Sequence, residues 1–190
     1  MPLTKAKFRQ TCLKKIKNNT KNDKFYRDAM LNIQLYKELK NLKNKKILFF
    51  CPLPFEAGVM KTLQKMRKKC DVFVPFMQGE SFKMVPFRLP LKKNKFGILE
   101  AGNTKRNIKR IDIAIVPAVG VDGNLKRIGF GKGMYDRFFE KLQKRPYTIF
   151  IQPKFCFTKK TICDDYDVTC DLLLAPRVRK IPVAKVNQRD

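Results

Sequence analysis

The feature that most constrains this chain is a series of short, continuously apolar runs set between helical patterns. Ile47-Leu-Phe-Phe-Cys51, Asp71-Val-Phe-Val-Pro75, Ile111-Asp-Ile-Ala-Ile-Val-Pro117, Tyr147 to Ile151 and Asp171 to Ala175 all have strand length. Runs of this kind suit strands buried on both faces, and a sheet is covered on both faces when helices cross over between its strands. The intervening segments supply those helices. Residues 4 to 18 carry Phe8, Cys12 and Ile16 at four-residue spacing, with Lys5 and Arg9 on a neighbouring face. A second pattern puts Phe25, Ala29, Ile33 and Tyr36 in step as the buried stripe, with Asp23 as a cap.

The segment from Leu42 to Lys46 reads as a basic turn, and the chain turns again at Pro52 and Pro54. A third helix is predicted from Phe55 to about Lys69 and a fourth from Met134 to Lys144. Strand, helix and strand across residues 47–75 make a βαβ unit. Phe82 to Pro86 and Gly97 to Glu100 read as shorter strands, and Ile181, Pro182 and Val183 offer at most a brief final one. This order predicts an α/β protein, a single-domain Rossmann-like three-layer fold with a mostly parallel central sheet flanked by helices. One core suits 190 residues of which 44% are hydrophobic, because each half alone would be marginal.

The residues from Met1 to Lys17 alternate Lys and Arg with short apolar stretches and supply no run long enough for a signal peptide or membrane span, so we expect a cytoplasmic protein. We expect a monomer. The six cysteines contain no C-x-x-C pair and the chain has no histidine, which makes a poor zinc set; we expect them reduced and mostly buried. Lys and Arg number 43 against 16 Asp and Glu, a formal +27 that attracts nucleic acid, acidic membranes or small polyanions without choosing among them. The excess is mostly lysine, dispersed along the chain. A basic RNA-binding or ribosome-associated module is the alternative to an enzyme, since phosphate neutralisation needs no motif.

The chemistry concentrates after the best strand, in Ala118-Val-Gly-Val-Asp-Gly-Asn-Leu-Lys-Arg-Ile-Gly-Phe-Gly-Lys-Gly-Met-Tyr-Asp-Arg137, which holds five of the nine glycines. Alternating glycines let backbone N–H groups turn toward one concavity that suits phosphate, with Arg127 and Lys132 as counter-charges. Asp136 offers a carboxylate oxygen to magnesium. A Walker loop would need Ser or Thr where Gly133 stands, and a dinucleotide fingerprint would need Gly in place of Met134.

The run Arg127-Ile-Gly-Phe-Gly-Lys-Gly-Met-Tyr-Asp136, preceded by Val116-Pro117 and by Asp122-Gly123, closely resembles the R-L-G-x-G-x-G-Y-Y-D signature of the 5-formyltetrahydrofolate cyclo-ligase family. Lys5-Ala-Lys-Phe-Arg9 resembles that family's opening helix, Pro54-Phe-Glu56 the start of its third helix, Phe96-Gly-Ile-Leu-Glu100 its F-G-I-x-E segment, and Asp171-Leu-Leu-Leu its late strand. The resemblance implies ATP as co-substrate and Mg2+ as cofactor in closing 5-formyltetrahydrofolate, polyglutamylated or not, into 5,10-methenyltetrahydrofolate. It also implies roles for particular residues. Lys5 and Arg9 would grip ATP phosphates, and Arg127, Gly129, Phe130, Gly131, Lys132, Gly133, Met134 and Tyr135 would form the nucleotide loop. Phe130 to Met134 would also touch folate, Glu56 would contact the pterin, Asp136 and Asp171 would share magnesium, and Lys132 with Arg127 would be catalytic.

Two positions depart from the family pattern. Met134 stands for the first tyrosine of the usual G-Y-Y-D, which we read as altered affinity, and Ala101-Gly102 stands where a proline often follows the glutamate. A catalytically inactive folate-binding relative is a further alternative. Phe82, Phe87 and Phe96 are candidates for enclosing the pterin, but aromatic residues in such places are more often core, and we do not count them in the site.

Overall fold

The computed structural model describes residues 2–18, 21–94, 97–105, 108–177 and 181–182. Its helices are α1 (Lys5–Lys17), α2 (Lys21–Leu39), α3 (Met60–Met66) and α4 (Met134–Glu140). The strands are β1 (Lys46–Leu48), β2 (Asp71–Gln78), β3 (Ser81–Pro86), β4 (Lys92–Lys93), β5 (Leu99–Glu100), β6 (Ile113–Pro117), β7 (Gly120–Val121), β8 (Arg127–Ile128), β9 (Tyr147–Ile151), β10 (Leu172–Leu174) and β11 (Ile181–Pro182). Seven strands form the central sheet in the order β11-β10-β9-β6-β1-β2-β3. The inner strands β10, β9, β6, β1 and β2 are parallel, and only the edge strands β11 and β3 pair antiparallel.

The apolar runs do what their composition requires, with alternate residues entering separate cores on the two faces of the sheet. Ile47, Ile113, Ile115, Ile149, Ile151, Leu172 and Leu174 point to one face and pack with α2 and α3. Leu48, Ala114, Val116, Phe150 and Leu173 point to the other and pack with Phe138 of α4 and with Phe82 and Met84 of β3. All five residues of β6 are buried, as a central parallel strand demands. Helix α1 covers a third cluster through Phe8, Cys12 and Ile16, which meet Val119, Ile128 and Cys156. Phe82 and Phe87 are core residues, whereas Phe96 and Val183 lie outside the described residues.

Several expectations change. Asp23 lies in the first turn of α2 rather than capping it, and α4 ends at Glu140 rather than Lys144. In α2 the buried stripe is Leu31, Leu35 and Leu39, while Phe25 is 65% and Ile33 59% exposed. Two apolar series at helical spacing share this helix, and period alone does not choose between them; the leucine series is the one that meets the sheet. Helix α3 starts at Met60 rather than Phe55, because residues 55–59 form a turn held by side chains of α2. The cysteines are not all reduced: Cys12 of α1 is disulfide-bonded to Cys156, which lies 144 residues away in sequence, while Cys51, Cys70, Cys163 and Cys170 are free.

A crosslink closing so long a loop restrains the unfolded chain strongly. Cys12→Ser should lower stability by about 2–4 kcal/mol in denaturant titrations. Peptide mapping without reduction should recover Cys12 joined to Cys156; alkylation of both in the native protein would contradict the pairing.

Candidate functional site

The glycine-rich segment leaves the carboxyl end of β6 as the hairpin β7–β8, continues as residues 129–133 and enters α4. Open α/β sheets place ligands at this end of their strands. The hairpin is organised by Asp122, which is wholly buried. One carboxylate oxygen accepts from the backbone N–H of Asn124 and Lys126 at 3.0 Å each, and the other from Ile162 at 3.1 Å and Cys163 at 3.0 Å. Two separate loops are thus tied to one side chain. Gly123 must be glycine for space, since a Cβ there would lie 2.3 Å from the carbonyl oxygen of Lys159.

Arg127 lies beneath the loop and is only 6% exposed. Its Nε donates to the carbonyl of Pro117 at 2.8 Å, and its guanidinium stands 4.7 Å from the centre of the Tyr135 ring. A Cβ on Gly129 would come within 2.4 Å of that guanidinium, so glycine lets the loop close over it. Burial pulls the Arg127 pKa down, opposed by the charge of Asp136 and, more weakly, by Tyr135, Glu56 and Asp167. Above it, Arg9 of α1 donates from Nε to the carbonyl of Gly129 at 2.9 Å. Gly131 and Gly133 take positive φ, 98° and 60°, which let the loop bend into α4. Lys132 is exposed, and its ammonium has no hydrogen-bond or ion-pair partner among the described residues.

Opposite the loop stands the turn carrying Glu56. The Phe55 and Phe130 rings are 5.0 Å apart, which joins turn and loop. Glu56 is 7% exposed and accepts from the Leu53 N–H at 2.9 Å. Burial raises its pKa, against the pull of the Leu53 N–H, Arg127 and Lys24. Burial also pushes the Cys51 thiol up to about 12, helped by the charges of Glu100 and Glu56, and raises the Tyr135 phenol. Tyr135 packs edge-on against Phe82 at 5.0 Å, and the Met134 carbonyl accepts from Ser81 Oγ at 3.1 Å.

Arg9, Arg127, the loop 129–133, Met134, Tyr135 and Glu56 are therefore brought together. Lys5 shares the face of α1 with Arg9 but is engaged by Asp167 and by Asp164 at 3.0 Å. Burial lowers the Lys5 pKa, yet the two carboxylates outweigh it and hold the ammonium above its ordinary value. Asp171 is not gathered to the loop. Its carboxylate accepts from Arg145 Nη1 at 2.9 Å and from the Thr148 N–H at 2.7 Å, and Thr148 lies at the beginning of β9 rather than at its carboxyl end. Asp136 accepts from the Val168 N–H at 3.4 Å instead. The expected Asp136–Asp171 pair is not assembled, and no group of three ligating side chains that could hold a metal occurs among the described residues. Sequence reasoning gave no role to Asp122 or Asp167. The Val-Asp-Gly-Asn run was a usable signal for Asp122, since Asp before Gly favours a side-chain-closed turn.

Fold and site together define an α/β protein that presents a cationic glycine loop and a buried carboxylate at the carboxyl ends of parallel strands. The chain belongs to the 5-formyltetrahydrofolate cyclo-ligase family, whose sequence profile matches residues 3–176. It is 35% identical over 81 residues to a probable 5-formyltetrahydrofolate cyclo-ligase of Schizosaccharomyces pombe, covering 38% of this chain and 40% of that one. It is 36% identical over 66 residues to the 5-formyltetrahydrofolate cyclo-ligase of Mycoplasma pneumoniae, covering 34% and 39%. The matched segments thus span about two fifths of these relatives. The fold is shared with the solved 5,10-methenyltetrahydrofolate synthetase of Aquifex aeolicus, at a TM-score of 0.73 and 20% identity over 98% of this chain and 100% of that one. It is also shared with the synthetase of Mycoplasma pneumoniae, at a TM-score of 0.67 and 21% identity over 91% and 99%.

Two predictions follow from the geometry. Asp122→Ala leaves four part-buried backbone N–H groups without their partner and should cost about 2–3 kcal/mol in urea unfolding, with Asp122→Asn milder. For Glu56, the raised folded-state pKa means that the native state keeps its proton above the ordinary 4.5, where the unfolded chain has lost it. Wild-type stability relative to Glu56→Gln should therefore fall as pH rises from 4.5 through the folded-state pKa, then level. A flat difference across that range would place the Glu56 carboxylate in water.

Proposed function

We propose that this protein closes 5-formyltetrahydrofolate to 5,10-methenyltetrahydrofolate at the expense of ATP, releasing ADP and phosphate. The observation that carries the reading is that the signature loop, with Lys132 exposed on it and Arg9 bonded to it, faces the turn holding the buried Glu56. The loop offers cations and backbone N–H groups to phosphate, and the carboxylate offers acceptors to the amino group and ring N–H of a pterin.

The formyl group is an amide whose oxygen is a poor leaving group. Its oxygen attacks the γ-phosphoryl group, ADP departs, and the formyl carbon becomes an imidate-like phosphate ester. The neighbouring side-arm nitrogen adds to that carbon, loses its proton, and phosphate leaves with the former formyl oxygen. Every step needs positioning and charge stabilisation rather than a covalent enzyme intermediate, which agrees with a chain that has no histidine.

In this reading Lys132 and Arg9 meet the phosphates, and Gly129 to Gly133 with Tyr135 wrap them. Phe130, Gly131, Lys132, Gly133 and Met134 lie where nucleotide and folate meet. Arg127 supports the loop from below and adds its charge through a low-dielectric interior, while Lys5 reaches phosphate only by leaving Asp164 and Asp167. Among the described residues no side chains build a cage for magnesium and Asp171 is engaged by Arg145 and Thr148, so in this reading the metal would be held chiefly by the triphosphate, whose charge it would offset. The reading includes a monomeric cytosolic enzyme; among the described residues no helix is long and apolar enough to cross a membrane.

The test is the near-ultraviolet absorbance of the methenyl product, with 5-formyltetrahydrofolate and magnesium present before ATP is added. A rise that waits for ATP supports the ligase; folded protein that gives none, while binding RNA with a steep salt dependence, supports a basic binding module instead. Lys132→Ala should lower kcat about a hundredfold, a larger loss than that in folate affinity. Unchanged turnover would remove Lys132 from the phosphoryl transfer.

A further inference from the structure

The turn carrying Glu56 and Phe55 lacks regular secondary structure, and α3, which follows it, has at Val59 an N-cap that makes no side-chain hydrogen bond. A turn beside a candidate ligand site needs another source of rigidity, and α2 supplies it. Lys24, Asp28 and Asn32 recur at four-residue spacing on one stripe of α2, distinct from the Leu31, Leu35 and Leu39 stripe that enters the core.

Each member holds a different part of the turn. Lys24 Nζ donates to the carbonyl of Glu56 itself at 2.7 Å and to Asp28 Oδ2 at 2.8 Å. Asp28 Oδ1 accepts the Gly58 N–H at 2.9 Å. Asn32 Nδ2 donates to the Gly58 carbonyl and to the Asp28 carbonyl, the latter at 2.7 Å. Asn32 Oδ1 accepts the Thr62 N–H at 2.9 Å and the Thr62 hydroxyl at 2.8 Å, so a side chain from α2 satisfies the first turn of α3 in place of a cap. Gly58 is required by the closeness of the fit, since a Cβ there would stand 2.6 Å from Asp28 Oδ2. Asn32 and Thr62 are buried, which removes water as a replacement partner.

We propose that Lys24, Asp28 and Asn32 are positioning residues for the folate half of the reaction, acting through the backbone of residues 56–58 to hold Glu56 and Phe55 against the glycine loop. The proposal rests on the ligase reading for the identity of the ligand. It distinguishes the two substrates: the ladder holds the Glu56 turn and the start of α3, whereas Arg9 and Asp122 hold the phosphate side. A defect in the ladder therefore weakens folate and spares ATP.

The experiment compares wild type with Asp28→Ala, Asp28→Asn and Lys24→Met in full-length protein. It reads the KM of each substrate, equilibrium binding of 5-formyltetrahydrofolate, and amide exchange of residues 53–58. Asp28→Ala should speed exchange at Gly58 and raise the folate KM about tenfold, with the ATP KM within twofold. Asp28→Asn keeps an oxygen for the Gly58 N–H and should recover most of the loss. Lys24→Met should fall between them and guards against an Asp28→Ala variant that folds poorly. Equal shifts in both KM values, no rescue by Asp28→Asn, or unchanged folate binding with accelerated exchange would each overturn the proposal. Wild-type protein that binds no folate would overturn the ligase reading and the ligand named here with it, while accelerated exchange in Asp28→Ala would still support the ladder's hold on the turn.

Discussion

The constraint on which the rest depends is that the inner strands of the sheet have no face toward water. Side chains of β6, β9, β1 and β10 enter apolar cores on both sides, so polar chemistry is pushed to the strand ends. The carboxyl ends are where β6 releases the chain into the glycine hairpin and where the chain after β1 turns toward Glu56. Helices α1 and α2 then bring in side chains that the sheet cannot provide. The site is a product of covering both faces.

Loops at such a place must satisfy their own backbone without help from a ladder. The structure solves this with a few buried polar side chains, each serving several backbone groups. Asp122 takes four N–H donors from two loops, Asn32 bridges α2 to the start of α3, and Gln152 exchanges two hydrogen bonds with the backbone of Cys156. In a low-dielectric setting fully paired groups of this kind confer rigidity, and loss of one partner leaves a costly orphan. The same economy of partners explains why Arg127 is buried: the Pro117 carbonyl and the Tyr135 ring receive its guanidinium.

The apolar runs and the glycine segment made much of this legible. Strand positions were readable because burial on both faces demands uninterrupted apolar residues, and β9 has the limits its sequence suggested. The glycine loop was readable because alternating glycines report a backbone conformation and close approach directly. Less legible was α2, where two apolar series competed and the sheet selected the leucines. The start of α3 was shifted because its cap comes from another helix, a partner 30 residues distant that no local pattern reveals. Asp171 looked like a ligand by its place in a strand motif, but its partners Arg145 and Thr148 are set by how β9 and β10 align.

By itself the sequence determined the α/β class, the parallel core and the loop with its cations, since each follows from local composition and spacing. Tertiary structure alone decided which side chains are engaged with one another. It engaged Lys5 with Asp164 and Asp167, took Asp171 away from the loop, joined Cys12 to Cys156 and set Asp28 against Gly58. Hydrogen bonds and ion pairs act over a few ångströms between residues far apart in the chain, and only the packing of α1 and α2 on the sheet brings those residues within reach.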